Sequence, residues 1–326
     1  MGTIGIVANP ASGKDVRRLV AKASVFDNRE KCAIVRRALV GAINAGARSF
    51  AYLDDSHNIS GGALKEVGHD CDAIRIPSAG TNSGLDTVRG ATALAEHDCI
   101  ATLILGGDGT SRAFVKGWRK AVILPLSTGT NNVFPRISEA TVAGTALGVL
   151  AAGGVDLEEA AFPVKVIDIE IEGEAPDIAL IDAVVTSDQF IGARALLDAD
   201  SIKRIVLTRA DPTAVGMTSV GGLIRPLSDK ENGGLHLILG QGSSSKVDAP
   251  IAPGMFETLR IRQVKAISFN EEIRFEGPCV LAFDGERERE IQAGQQVSMR
   301  VSRSGPSVLD IAKTIELAVC RNWFKR

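Results

Sequence analysis

The sequence predicts an α/β protein: an N-terminal doubly wound parallel-sheet domain followed by a β-rich, sandwich-like C-terminal domain. Three observations carry this expectation. Up to about residue 153, short apolar runs alternate with segments of helical period, the pattern of βαβ units. From about residue 163 the hydrophobic period switches to two, the mark of half-solvated antiparallel strands. The length, 326 residues, is long for one core and comfortable for two domains.

The strand candidates of the first half are Thr3–Ala8, Ser49–Leu53, Ala73–Ile76, Ala101–Leu105 and Ala121–Leu126. Between them, Arg29–Ala45 sets Val35, Leu39, Ala42 and Ile43 on one helical stripe, and Asn82–Glu96 and Glu139–Ala152 read as further helices. In the second half Ile167, Ile169 and Ile171 alternate with Asp168, Glu170 and Glu172. Leu259 and Ile261 alternate with Arg260 and Arg262, and Val297, Met299 and Val301 with Ser298, Arg300 and Ser302. The tail Val308–Phe324 returns to a helical period, with Leu309, Ala312, Ile315, Leu317 and Val319 available for burial. A cleft between two such domains is the natural site for a ligand.

Composition narrows the function classes. A net charge of −2 and 45% hydrophobic residues describe an ordinary globular protein, with no basic excess to attract nucleic acid. Met1–Ile6 runs straight into a strand, so no leader peptide is expected, and no apolar run approaches the ~18 residues of a membrane span. Cys32, Cys71, Cys99, Cys279 and Cys320 are scattered without metal-ligand spacing, which suits reduced thiols in the cytoplasm. His57, His69, His97 and His236 are isolated and read as surface or packing residues.

The most informative stretch is Gly106-Gly107-Asp108-Gly109-Thr110. It follows the apolar strand 101–105 and precedes a helical segment, Ser111–Trp118. A strand, a glycine-rich turn and a helix start make an anion site, because glycines let the backbone approach and free N–H groups face the charge. An aspartate would repel phosphate there. Asp108 fits if it holds a phosphate-bridging metal, or accepts a proton from an attacking hydroxyl; the plain alternative is a helix cap. Ala8–Asp15 follows the first strand but lacks the Walker-loop glycine and Ser/Thr. Ser127-Thr128-Gly129-Thr130-Asn131-Asn132 offers hydroxyls and amides to a polar ligand. Phe283-Asp284-Gly285-Glu286 by itself reads as a hairpin turn.

Together these residues resemble the superfamily of NAD kinases, diacylglycerol and sphingosine kinases and acetoin-catabolism X proteins, over nearly the whole chain. The resemblance implies two domains, 1–153 and 154–305, with the end of the chain, 306–326, returning to the first. It implies a nucleotide site lined by Asn9, Pro10, Gly106, Gly107, Gly109, Thr110, Gly129, Thr130, Asn131 and Asn132. Thr213-Ala214 and the following Ser219–Pro226 look like the substrate segment of NAD kinases, with one extra residue. Where NAD kinases carry an Asn-Glu pair, this chain reads Ile181-Asp182; isoleucine cannot make the asparagine's hydrogen bonds, while Asp182 could hold a ribose diol. Pro125–Phe134 and Asp284-Gly285-Glu286 are nearer to the lipid kinases, and the acetoin-X branch fits the overall pattern best.

The implied chemistry is Mg²⁺-assisted phosphoryl transfer from ATP to a hydroxyl of a small molecule, NAD first. Asp108 would be the catalytic base or orienting group. Asp284 and Glu286 are candidates for metal or substrate contacts, and Lys14, Arg112 and Arg136 for phosphate. The resemblance also implies a homo-oligomer, dimer or tetramer. Two rivals stay open: a lipid alcohol as acceptor, with the basic C-terminal segment on a membrane surface, and a nucleotide-binding regulator without catalysis. A nicotinamide dehydrogenase is excluded by the lack of G-x-G-x-x-G after the first strand.

Overall fold

The computed structural model of the protein describes residues 2–13, 27–68, 71–129, 131–187, 199–242 and 245–325. Among these, the first half forms strands β1 (Thr3–Ala8), β2 (Ser49–Leu53), β3 (Asp72–Ile76), β4 (Cys99–Gly106) and β5 (Val122–Ser127). Helices α1 (Asn28–Asn44), α2 (Ile59–Val67), α3 (Gly84–Glu96), α4 (Asp108–Gly117) and α5 (Ala140–Ala151) alternate with them. The strands pair in parallel in the order β3-β2-β1-β4-β5. The chain therefore builds outward from β1 in one direction and resumes at β4 in the other. This β1/β4 junction is a topological switch point, the place where open α/β sheets bind ligands beyond the carboxyl ends of their strands.

Two apolar layers hold this sheet. On one face Ile4, Ile6, Leu103, Leu105 and Leu124 pack against Val35, Leu39 and Leu147 of α1 and α5. On the other, Val7, Ile104 and Ile123 meet Leu94, Phe114 and Val115 of α3 and α4. Burial on both faces explains why β4 and β5 read as continuous apolar runs.

Three elements differ from the sequence expectation. α4 begins at Asp108 rather than Ser111, because Gly107 is extended and serves as its N-cap. Helix α2 was not expected over a Gly61-Gly62 pair; the Asp55 carboxylate starts it by accepting the N–H groups of Ile59 and Ser60. The tail is not helical throughout: 307–309 pairs parallel with β5, and a helix begins only at Ile311, where the Asp310 side chain accepts the Lys313 N–H.

Beyond α5 come α6 (Leu157–Ala160) and β6 (Ala161–Pro163), and β6 joins the edge of the first sheet. The strands β7 (Val166–Ile171), β8 (Asp177–Ala179), β9 (Asp182–Thr186), β10 (Ile202–Leu207), β11 (Gly234–Leu239), β12 (Lys246–Ala252), β13 (Met255–Ile267), β14 (Ile273–Glu276), β15 (Cys279–Phe283), β16 (Glu286–Ile291) and β17 (Gln296–Ser302) follow, with the short helix α7 (Met217–Gly222) after β10. They form two antiparallel sheets, β12-β13-β11-β10-β9-β15-β16 and β14-β17-β7-β8. Ile167, Ile169, Met299 and Val301 of the smaller sheet interleave with Val185, Val206, Leu281 and Phe283 of the larger. That is a sandwich core, with the period-two residues of 167–171 and 297–301 on its inner faces, whereas Leu259 and Ile261 pack in a separate cluster with Ile205, Leu207 and Leu237.

The chain then returns to the first domain through β18 (Ser307–Leu309) and α8 (Ile311–Cys320). The Trp323 Nε1–H donates to the Ala45 carbonyl at 3.3 Å, and Arg321 donates to the Gly154 carbonyl at 3.1 Å. The C-terminal segment thus docks on the protein itself, the simpler of the two expectations for it. Among the described residues no helix is long and apolar enough to cross a membrane.

One buried group makes the fold sensitive to acid. His236 on β11 is 7% exposed, and burial, helped by Arg204 and Lys265, pushes its pKa down to about 4. The unfolded imidazole titrates near 6.5, so the unfolded chain binds more protons between those values and stability falls as pH drops through that window. Urea midpoints measured at pH 7 and pH 4.5 should show a smaller acid loss for His236→Leu than for wild type. An equal loss in both would exclude His236 as its source.

Candidate active site

At the switch point the structure gathers the residues that the motifs singled out. Asn9 follows β1, and its backbone N–H extends the sheet by donating to the Leu105 carbonyl at 3.0 Å. Its side-chain oxygen accepts the Ala11 N–H at 2.8 Å, which makes a tight turn at Pro10. Its amide donates to the hydroxyl of Thr110 at 2.8 Å. The loops after β1 and β4 are therefore joined side chain to side chain. Thr128 closes the set by donating to the Ser12 hydroxyl at 3.1 Å.

Asp108 is the first residue of α4, yet its carboxylate does not cap that helix. It accepts the backbone N–H of Val133 at 3.1 Å and of Phe134 at 2.8 Å, in the loop after β5. Asn132 braces the same loop by donating to the Ser127 hydroxyl at 2.7 Å. Space is tight where these pieces meet, most strictly at Gly106, which faces a Cβ rather than the end of a flexible side chain. A Cβ on Gly106 would stand 2.6 Å from Thr110 Cβ, one on Gly107 2.9 Å from Asn132 Oδ1, and one on Gly109 2.6 Å from Glu286 Oε1.

Glu286 arrives from the second domain. Asp284 and Gly285 have φ of 50° and 83°, the two left-handed positions of a two-residue hairpin turn between β15 and β16. The hairpin reading and the site reading of this motif are thus compatible. Asp284 itself points inward. Its carboxylate accepts the N–H groups of Leu180 at 2.9 Å, Ile181 at 2.7 Å and Asp182 at 3.2 Å. Burial pushes its pKa up to about 6, against the pull of Arg112 and of those amides. Asp284 thereby fixes the backbone around Ile181 and Asp182, which are 1% and 8% exposed.

Other expected residues stand elsewhere. Arg112 does not face the glycine loop: it is 3% exposed, and its guanidinium donates to Asp177 Oδ1 at 2.8 Å and to the Ile178 carbonyl at 2.5 Å. A charge committed to a buried pair is not offered to phosphate. Arg136 is exposed, 3.8 Å from Asp229. Thr213 is exposed and bonds to Asp211, Ala214 lies beside it, and the Ser219 hydroxyl donates to the Gly216 carbonyl. The bonds of Thr213 and Ser219 stay within their own side of the second domain. Gly129 and Asn131 lie in the loop after β5; Thr130 and Lys14 fall outside the described residues.

Lys31 was missed. Fully buried on α1, its ammonium donates to the carbonyls of Asn9 (3.1 Å), Pro10 (2.8 Å) and Ser12 (2.7 Å) and to Asn28 Oδ1 (3.2 Å). It holds the first loop from behind. A signal was present: Lys31 lies one turn before Val35 on the apolar stripe, where a charge needs a partner. Among the described residues no three His, Cys, Asp or Glu side chains gather as a metal cage. What the site offers a cation is Asp108 and Glu286 on either side of Gly109. That donor set fits Mg²⁺, which keeps water ligands and arrives with phosphates.

Residues 165–304 match the family described as the acetoin catabolism protein X C-terminal domain. The acetoin catabolism protein X of Cupriavidus necator is 32% identical over 325 residues, a comparison that covers 95% of this chain and 90% of that protein. Among solved structures, yeast NADH kinase complexed with NADH superposes with a TM-score of 0.53 at 13% identity, over 97% of this chain and 86% of that one. A candidate diacylglycerol kinase of Bacillus anthracis gives 0.51 at 13% identity, over 94% and 97%. At such identities the likeness is one of fold, and the fold is the kinase-like one that the motifs implied.

Lys31→Met would leave several carbonyls without the ammonium that satisfies them. Urea unfolding should report a loss of about 2–4 kcal/mol, the cost of stranding buried hydrogen-bonding groups. A loss under about 0.5 kcal/mol, the range of ordinary surface substitutions, would mean that water or a rearranged loop replaces the lysine.

Proposed function

The chain belongs to the acetoin catabolism protein X family, and from that premise we propose an ATP-dependent kinase that phosphorylates a hydroxyl of a small molecule, with the 2′-hydroxyl of NAD as the first acceptor to test. The observation that carries this reading is the meeting of four motifs around Asp108. Asn9 bonds to Thr110, the Asp108 carboxylate bonds to the loop after β5, and the Glu286 carboxylate fills the space where a Gly109 side chain would stand. Such an arrangement suits a reaction in which positioning and charge neutralisation supply most of the rate.

In the proposed transfer the acceptor oxygen attacks the γ-phosphorus. A new P–O bond forms as the bond to the β-phosphate oxygen breaks, and ADP leaves. The acceptor's proton passes to the Asp108 carboxylate, or Asp108 orients the hydroxyl and gives the proton onward. Backbone N–H groups of Gly106, Gly107, Gly109 and Thr110 would face the phosphates, with Asn9, Pro10, Gly129, Thr130, Asn131 and Asn132 around the nucleotide. Mg²⁺ arriving with the phosphates and held by Glu286, or by Asp108 if that carboxylate is not the base, would supply neutralisation of phosphate charge. Asp182, Thr213, Ala214 and Ser219 are the proposed acceptor side, where Asp284 acts by fixing Asp182 rather than by touching substrate. A cytoplasmic homo-oligomer, dimer or tetramer, belongs to the same proposal.

Ile181 favours a second reading. Its alkyl side chain, 1% exposed, stands where the resemblance to NAD kinases has an asparagine, and it cannot hydrogen-bond to a nucleoside. Another hydroxylated metabolite would then take the place of NAD.

The test is NADP formation from NAD and Mg²⁺-ATP, coupled to an NADP-specific dehydrogenase. Asp108→Asn should lower kcat by ~10²-fold or more, the usual contribution of a positioned base, while the protein still folds cooperatively with a modestly lower urea midpoint, because the amide oxygen can accept from Val133 and Phe134 in weaker, uncharged bonds. Near-full activity in that variant would remove the assigned role. ADP release with other polyols but not with NAD would select the second reading, and no turnover with any acceptor would leave a nucleotide-binding regulator.

A further inference from the structure

Arg209 is a cation that the four motifs do not account for. It lies just beyond β10, after Thr208, whose hydroxyl donates to the carbonyls of Leu180 at 2.8 Å and Ile181 at 3.2 Å. That anchor ties its backbone to the segment that Asp284 fixes. The side chain is 12% exposed, and its Cζ stands 5.8 Å from the centre of the Phe134 ring. Phe134 is the residue whose N–H holds Asp108. Arg209 therefore reaches from the second domain to the other side of the loop that grips the proposed base.

Its bonding is poor for a buried guanidinium. Nε is buried with no hydrogen-bond partner. The ion pair that the described residues give it is Asp229, with Oδ2 4.0 Å from Nη1, beyond hydrogen-bond reach. The contrast with Arg112 is direct, since that guanidinium makes short bonds to Asp177 and Ile178. A guanidinium presents five N–H donors in a fixed fork, and burying it with so few acceptors is costly.

The surroundings raise that cost. Burial above all holds the Arg209 pKa below its usual range; Asp229 opposes this, Arg136 adds to it, and Asp108 and Asp211 oppose it. Lys165, bonded to the carbonyls of Ser228 at 3.0 Å and Gly233 at 3.1 Å, has its pKa lowered to about 8 by burial and by Arg303 and Arg209. Arg303 donates to the carbonyls of Asp229, Lys230 and Glu231. Arg136, Lys165, Arg209 and Arg303 thus share a neighbourhood with the carboxylates Asp108, Asp211, Asp229 and Glu231, none of which comes within hydrogen-bond reach of the Arg209 guanidinium among the described residues.

We propose that Arg209 is the anion subsite of the acceptor: its fork grips a phosphate group of the molecule whose hydroxyl is offered to Asp108. The acceptor class is then a phosphate-bearing metabolite, which includes NAD with its pyrophosphate and excludes neutral polyols and uncharged lipid alcohols. The assignment to acceptor rather than donor follows from the topology. The loops proposed for ATP come from β1, β4 and β5 of the first domain, whereas Arg209 comes from β10 of the second and leads directly into Thr213. This inference rests on the kinase reading of the site.

Calorimetry on the intact protein separates the possibilities, using wild type, Arg209→Gln and Arg209→Lys. Each is first titrated with the non-hydrolysable donor analogue AMP-PNP and Mg²⁺. The saturated protein is then titrated with NAD and, independently of acceptor identity, with inorganic pyrophosphate in excess Mg²⁺. Arg209→Gln should bind AMP-PNP within about 2-fold of wild type but weaken pyrophosphate and NAD by about 10-fold or more, the loss expected for one charge-assisted bidentate contact. Arg209→Lys, which keeps the charge but not the fork, should fall between, and it carries the test if the glutamine variant does not fold.

Weakened AMP-PNP with unchanged pyrophosphate would assign the anion to the donor and overturn the proposal. Unchanged affinity for all three ligands, or a wild type that binds no pyrophosphate, would make Arg209 a counter-charge of Asp229 only. Failure of the kinase reading looks different: wild type would not bind AMP-PNP at all. Pyrophosphate titrated alone would then still report whether Arg209 holds an anion.

Discussion

The carboxylate of Asp108 bonded to the amides of Val133 and Phe134 is the interaction on which the rest of the site depends. It ties the first turn of α4 to the loop after β5, while two residues along Thr110 ties the same turn to Asn9. Hydrogen bonds from backbone N–H to an ionised group contribute about 1.5–3 kcal/mol each. That is ample to set the register of short loops that have few apolar contacts of their own. The same bonds hold the proposed base in place before any ligand arrives, and that preorganisation is what phosphoryl transfer asks of a protein.

Helix α4 carries this constraint into the second domain. Arg112 midway along it and Lys116 in its last turn meet Asp177 at the start of β8, and Arg289 reaches the same carboxylate from β16. Burial opposes ionisation of Asp177, but Arg112, Lys116 and the Ile178 N–H outweigh it, and its carboxyl sits below the usual range. Removing one partner of such a buried network leaves an uncompensated charge, so the network defines how the two domains meet. Glu286 can close on Gly109 only because that meeting is fixed.

Much of this was legible in the sequence where it is local. β1 and β2 span the residues that their apolar runs marked, and the glycine loop sits on the strand end where a buried run gives way to helix period. The tail was misread because Val308 and Leu309 fit a helical stripe as well as a strand; only β5 and β6, more than 140 residues earlier, decide between them. Lys31, Arg112 and Arg209 illustrate a different limit. Each charge acquires its meaning from groups distant in the chain: carbonyls of the first loop for Lys31, Asp177 for Arg112, and scarcity of acceptors for Arg209. A motif shows that Asp108 belongs to a site. Which arginine is bound up in structure and which is left for a ligand is a property of the fold.

Hydrogen–deuterium exchange of the wild-type protein, with and without saturating Mg²⁺-ATP, tests most directly whether these loops form one nucleotide site. The expected result is slowed exchange confined to the amides of 9–12, 106–110 and 131–134, with the outer strands of the sandwich unchanged. Exchange in those three loops that ATP does not alter, in a protein that is folded by every other measure, would contradict it.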